Sequence, residues 1–67
     1  MNIKEYLIEV KKHYDSVDQD LQVQLGLSHF QEFVLKYNVN NYTKLASPFI
    51  KYLNGKLELD EFVGLVR

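Results

Sequence analysis

Apolar residues recur three and four positions apart along most of this 67-residue chain, which is the pattern of amphipathic α-helices. The first such segment predicts a helix from residue 3 to about residue 14. Asn2 and Glu5 stand three residues apart at its start and predict a capping box. The apolar face of this first helix comprises Ile3, Tyr6, Leu7, Val10 and Tyr14.

Two shorter helices are predicted next, on either side of Gly26. The first covers residues 17–25, and Gly26 would end it by adopting the left-handed conformation that commonly stops helices. The second would begin at Ser28 as its N-cap. The apolar positions are Val17, Leu21 and Leu25 in the first helix, and Phe30, Phe33, Val34 and Tyr37 in the second.

The asparagine-rich residues 38–41 predict a turn, because Asn tolerates left-handed geometry and caps the helix that follows. A further helix is expected from Tyr42. Pro48 cannot occupy an unstrained helix interior, so the sequence predicts a break near Ala46. A new helix would then start with Ser47 as its cap.

The end of the chain predicts one more helix, over residues 59–66, after a turn at Asn54 and Gly55. No segment alternates apolar and polar residues for long enough to indicate a sheet. We therefore expect an all-α fold, a compact single-domain bundle of four to five short helices that spans residues 1–67. The apolar face of the last helix comprises Leu59, Phe62, Val63 and Val66.

The chain is rich in aromatic residues for its length, with five tyrosines and four phenylalanines. A domain of this size buries only about 60% of the surface of its extended chain. Some aromatic rings are therefore expected at an interface, and we expect the protein to act by docking on itself, as a homodimer, or on another protein. The expected protein-contact residues are the tyrosines Tyr6, Tyr14, Tyr37, Tyr42 and Tyr52.

The sequence offers little catalytic or metal-binding chemistry. It has no cysteine, its three glycines stand alone, and His13 and His29 are too far apart in sequence to form a local metal-binding pair. We therefore expect no enzyme activity, no catalytic residue, no cofactor and no metal. Apolar runs as short as Phe33-Val34-Leu35 predict no membrane span, and the charged amino terminus is unlike a signal peptide. The expected location is the cytoplasm.

Residues 50–61 resemble the second half of an EF-hand calcium loop. With Glu61 as the twelfth position, Gly55 falls at the sixth, where that loop turns sharply. Ile50 and Tyr52, however, stand at the first and third positions, which require oxygen donors. Calcium binding is therefore not expected.

Two segments resemble DNA-binding motifs. Residues 20–35, DLQVQLGLSHFQEFVL, look like the helix-turn-helix of bacterial regulators, with Gly26 in the turn and Ser28 capping the second helix. Residues 47–56, SPFIKYLNGK, are similar to the recognition helix and following turn of the Xre/Cro repressor family. Residues 15–32 nevertheless contain four acids and no Lys or Arg, a charge distribution that repels phosphate.

Charge distribution supports an alternative function, a nucleic-acid-binding regulator that uses residues 33–57. This segment lacks Asp and Glu, and tyrosines and asparagines lie among its lysines. The net charge of the whole chain, −1, does not favour binding to phosphate. The candidate phosphate contacts are Lys36, Lys44, Lys51 and Lys56.

Overall fold

The computed structural model describes residues 2–66, which contain four α-helices joined by short loops. They are α1 (Ile3–Ser16), α2 (Gln19–Tyr37), α3 (Tyr42–Leu53) and α4 (Leu59–Val66). The predicted all-α, single-domain bundle is confirmed, at the lower of the two expected helix numbers. Within the described residues, no helix combines the length and the apolar character that crossing a membrane requires.

The start of α1 shows the N-cap half of the predicted capping box. The Glu5 backbone N–H donates to the Asn2 side-chain oxygen at 2.9 Å, and the Asn2 amide donates in return to the Glu5 carboxylate at 3.4 Å. The first bond satisfies a backbone N–H that the first turn of a helix leaves without an intrahelical partner, whereas the second joins two side chains and does not involve the Asn2 backbone N–H. The helix continues to Ser16, slightly beyond the predicted end.

The predicted break at Gly26 is wrong, because α2 runs without interruption through both Gly26 and Ser28. Gly26 is buried, and a Cβ atom placed on it would lie 3.3 Å from Cδ1 of Ile50 and 3.5 Å from Cε2 of Tyr14. The glycine therefore allows α2 to pack closely on its neighbours rather than ending a helix. Without a turn, residues 20–35 do not form the helix-turn-helix that they resemble.

The predicted break before Pro48 is also wrong, because α3 is continuous and Pro48 lies inside it. Proline has no backbone N–H, so α3 lacks the hydrogen bond to the Lys44 carbonyl. Lys44 is an exposed residue, so water can reach this part of the helix. Ser47 is thus inside α3 and caps no helix, unlike the serine of the repressor motif. The helix is held by one buried face, made of Leu45, Phe49, Tyr52 and Leu53.

The ends of α2 and α3 confirm the two predicted turns. Gly55 has a φ of 78°, and the Lys56 N–H donates to the Lys51 carbonyl at 2.8 Å, which is the arrangement of a Schellman motif. Asn38 ends α2 with a φ of 52°, in the left-handed region that Asn tolerates.

Phe33 of α2 lies at the centre of the core and is fully buried. Its ring centroid is 6.2 Å from that of Tyr6 in α1, 5.7 Å from Phe49 in α3 and 5.8 Å from Phe62 in α4. One aromatic side chain thus contacts a ring from each of the other helices. This clustering shows how a short chain can bury many of its aromatic residues.

The helices differ in how much of their surface the bundle covers. Helix α1 packs against the other three helices, whereas α2 packs mainly against α1 and α3. The remaining side of α2 faces away from the bundle, and the candidate site lies there.

Candidate docking face

Three of the five tyrosines expected to contact a partner are core residues. Tyr6, Tyr14 and Tyr52 expose only 5%, 6% and 4% of their surface. The expectation that their rings are available to a partner is wrong in this structure. The sequence pattern placed them on the apolar faces of their helices, and those faces are buried in the core of the bundle.

The hydroxyl groups of these buried tyrosines link α1 to α2, to α3 and to the residue that ends α3. Tyr14 donates to the Asn54 side-chain oxygen at 2.9 Å, and Tyr52 donates to the Leu7 carbonyl at 2.9 Å. Tyr6 donates to the Glu32 carboxylate at 3.0 Å. Burial, followed by that hydrogen bond, raises the pKa of the Tyr6 hydroxyl, and burial also raises the pKa of Tyr52. Both phenols therefore stay protonated as donors.

The other two tyrosines occupy different positions. Tyr37 is half-buried, with its ring 5.4 Å from Tyr6 and 5.5 Å from Phe33. Its hydroxyl is buried and has no hydrogen-bond partner among residues 2–66. Tyr42, at the start of α3, is 49% exposed and is the most exposed of the five tyrosines.

An exposed apolar row runs along α2. Val23 is 69% exposed, Leu27 is 56% exposed and Leu35 is 82% exposed. These residues and the exposed Gln31 stand four positions apart and form one ridge on the helix surface. We call this row of Val23, Leu27, Gln31 and Leu35 the α2 face.

The α2 face from Val23 to Gln31 lies in a stretch of unusual charge composition, and Leu35 lies just beyond it. Residues 21–31 contain no Asp, Glu, Lys or Arg, although a quarter of the chain is charged. A helix at the surface of a bundle normally carries charged residues on its outer side. Helix α2 instead has apolar residues both on the side that packs in the bundle and on the side that faces away from it.

Two shallow clefts between α2 and α3 border the α2 face. The first has a volume of about 300 Å³ and is lined by Val23, Leu27 and Ile50, together with Tyr14 of α1 and the polar side chains of Gln19, Gln22 and Asn54. The second, of about 270 Å³, is lined by Gln31 and Leu35, with Tyr42 from α3. Each half of the ridge is therefore accompanied by a depression that could receive an apolar side chain.

The four lysines of the alternative hypothesis do not form one compact group. Lys44 and Lys51 lie seven residues apart on α3 and share a side of that helix. Lys36 instead lies over the Tyr6 ring, 5.1 Å from its centroid, in a depression that also contains Glu9 and Glu32. Glu9 and Glu32 share this depression, so the surroundings of Lys36 are not the basic patch that phosphate binding favours.

The structure also brings together two residues that lie far apart in the sequence. Nδ1 of His13 and Nε2 of His29 are 3.2 Å apart across the contact between α1 and α2. Helix packing makes this pair, and spacing along the chain could not reveal it. Among residues 2–66, however, no group of three or more potential ligands is positioned to hold a metal ion.

Comparisons with known proteins identify no relative: no protein-family model, no curated protein and no solved structure matches this chain. The functional interpretation therefore rests on the chain's own geometry, and the α2 face is its most distinctive surface.

Proposed function

We propose that this protein is a small, non-enzymatic interaction module that docks a protein chain on the α2 face. The observation that carries this proposal is the absence of charge from residues 21–31 together with the high exposure of Val23, Leu27 and Leu35. The cores of protein interfaces are depleted in charged residues in the same way. The contact with a partner that was expected of the five tyrosines is thus assigned to an aliphatic row, and Tyr42 is the exposed tyrosine beside it.

Burial of this row would supply a substantial driving force for docking. Removing a Leu or Val side chain from water contributes about 1.5–3 kcal/mol when it is fully buried. Three such side chains are mostly exposed on the α2 face. Ordering and association offset part of that gain, so the contribution of the row to affinity is smaller than the sum of its parts.

Site-specific photo-cross-linking in cells of the source organism tests the proposal. The photoreactive residue p-benzoyl-phenylalanine replaces Leu35 in one variant and Leu65 in a matched control. Leu65 is a leucine of α4 that is 49% exposed and lies outside the α2 face. We expect a discrete protein adduct from position 35, its loss when Leu27→Glu is added, and no such adduct from position 65.

Two results would contradict the proposal. One is the absence of any adduct from position 35, and the other is the same set of adducts from positions 35 and 65. The second result would show that adducts reflect exposure alone rather than a docking face.

A further inference from the structure

We infer that the chain docked on the α2 face is a second copy of this protein, with the two α2 helices packed antiparallel about a two-fold axis. This inference rests on the proposed function, because it assigns the occupant of the same face. Three features support it: the symmetry of the row, the distribution of charge and the positions of the two clefts.

The α2 face is self-complementary under a two-fold rotation. In a two-fold dimer both copies use the same surface, so each residue must suit the one that the rotation brings opposite it. An axis at the level of residue 29 places Val23 opposite Leu35 of the second copy and Leu27 opposite Gln31 of the second copy. Apolar residues thus face each other at both ends of the row, and no like charges meet within it.

The spacing of the row also suits helix-on-helix packing. Residues four positions apart form ridges inclined by about 26° to the helix axis. Two such ridges interdigitate when the helices cross at about 50°, which is the commonest packing class in globular proteins. From Val23 to Leu35 the row extends for about 18 Å at the rise of an α-helix, long enough for the central turns to interlock.

Charge favours the antiparallel arrangement over the parallel one. The first turn of α2 has Asp20, with Asp18 just before it, and the last turn of α2 has Lys36. An antiparallel pair brings the acidic end of each copy towards the basic end of the other. The dipoles of the two α2 helices then point in opposite directions, which is favourable. A parallel pair would bring like ends together.

The clefts give each protruding side chain a place to pack. Leu35 is the most exposed of the large apolar residues found exposed on the surface. In the antiparallel arrangement it lies at the level of Val23 of the second copy, beside the cleft that Ile50 borders. The same operation brings Val23 towards the cleft that Tyr42 borders.

The α2 face is a single row of four side chains on one helix, so we expect a dimer of moderate affinity. A standard interface buries about 800 Å² on each partner, which is roughly one sixth of the 4679 Å² surface of this chain. Measurements should therefore extend from micromolar to near-millimolar protein.

Sedimentation velocity over this concentration range tests the assembly. We expect wild-type protein to shift from monomer to dimer, Leu27→Glu to stay monomeric at all concentrations, and the control Leu65→Glu to dimerise like the wild type. Circular dichroism of both variants establishes that each remains folded. A wild-type chain that stays monomeric throughout would overturn the inference.

Cysteine cross-linking tests the orientation, and the absence of native cysteine makes the result unambiguous. Val23→Cys and Leu35→Cys proteins are mixed in equal amounts and oxidised in a thiol–disulfide buffer. Antiparallel packing predicts that the disulfide between the two different variants makes up more than half of all cross-linked dimers, half being the fraction expected from random pairing. An excess of the Leu35→Cys homodimer would indicate parallel packing and overturn the inference, as would random proportions.

The cross-linking in cells separates this inference from the proposed function. An adduct of twice the mass of the chain supports the second copy. An adduct of another mass, with a purified protein that stays monomeric, leaves the docking face in place and overturns the homodimer. Absence of any specific adduct removes both.

Discussion

The imidazole rings of His13 and His29 meet edge to face across the contact between α1 and α2, with Nδ1 of His13 3.2 Å from Nε2 of His29. One ring must donate and the other accept, so the hydrogen bond requires at least one neutral imidazole. Two imidazolium ions at this distance would repel each other. Folding therefore favours the neutral form of His29.

The histidine pair predicts lower stability in acid. Burial, followed by the charge of His13, lowers the pKa of His29, while Glu32 acts in the opposite direction. Because the folded chain binds this proton less readily than the unfolded chain, the stabilisation is complete above the unfolded pKa of about 6.5. It is lost as the pH falls through the lower folded pKa. Urea unfolding between pH 7.5 and 5 measures this effect.

The control for the acid effect is His29→Gln, which keeps a polar side chain at that position but cannot titrate. Glu9, Glu32 and Lys36 line the same depression and remain in the variant. We expect the loss of stability between pH 7 and 5 to be smaller in the variant than in the wild type. Identical pH dependence in both proteins would show that the pair does not contribute.

Removing the hydroxyl group should change the free energy of unfolding differently at Tyr52 and at Tyr37. Tyr52 donates a buried hydrogen bond to the Leu7 carbonyl, so Tyr52→Phe should lower the free energy of unfolding by about 1 kcal/mol. The Tyr37 hydroxyl is buried without a partner among residues 2–66. Tyr37→Phe should leave stability unchanged or raise it by up to about 1 kcal/mol.

Chemical denaturation of the two phenylalanine variants gives this comparison directly, because each loses the same single oxygen atom. Equal destabilisation would contradict the assignment and would indicate that the Tyr37 hydroxyl is hydrogen-bonded in solution, for example to water.

Pro48 inside α3 predicts a stabilising substitution. Proline is about 3 kcal/mol less favourable than alanine in a helix interior, although it also restricts the unfolded chain. We expect Pro48→Ala to raise the free energy of unfolding by roughly 1–3 kcal/mol and to restore the hydrogen bond to the Lys44 carbonyl. Hydrogen exchange of the backbone amide that the substitution introduces would detect that bond. An unchanged stability would indicate that the half-buried Pro48 ring contributes packing of equal value.

Local signals predicted the start of α1 and the ends of α2 and α3, and tertiary packing prevented the predicted breaks. The start of α2 was expected at Val17 and lies at Gln19 instead. The N-cap at Asn2 and the left-handed residues at Asn38 and Gly55 depend on neighbours in sequence, so the sequence was sufficient to predict them. Gly26 and Pro48 are helix breakers only where nothing else holds the helix. Here the contact of Gly26 with Ile50 and the buried face of α3 decide instead.

The candidate site was less predictable than the fold. Helical spacing identifies apolar residues but does not tell which apolar side faces the bundle when a helix has two. Leu21 was assigned to a packed face and is 54% exposed, whereas Tyr6 was assigned to a contact surface and is buried. Only the relative positions of α1, α2 and α3 distinguish the inner side of α2 from its outer side.

Two residues on opposite sides of α2 should respond very differently to substitution. Phe33 is fully buried and Leu35 is 82% exposed. Phe33→Ala should lower the free energy of unfolding by about 3–5 kcal/mol, as expected for a large core side chain. Leu35→Glu should change it by less than about 0.5 kcal/mol in dilute protein, because an exposed side chain has few contacts to lose.

Concentration distinguishes a docking residue from a merely exposed one. If the α2 face is covered by a second copy, the melting temperature of the wild type should rise with protein concentration, because association stabilises the folded state. The melting temperature of Leu35→Glu should stay constant over the same concentration range, and Leu65→Glu should behave like the wild type. A concentration-independent melting temperature for all three proteins would mean that Leu35 is exposed without docking a second copy.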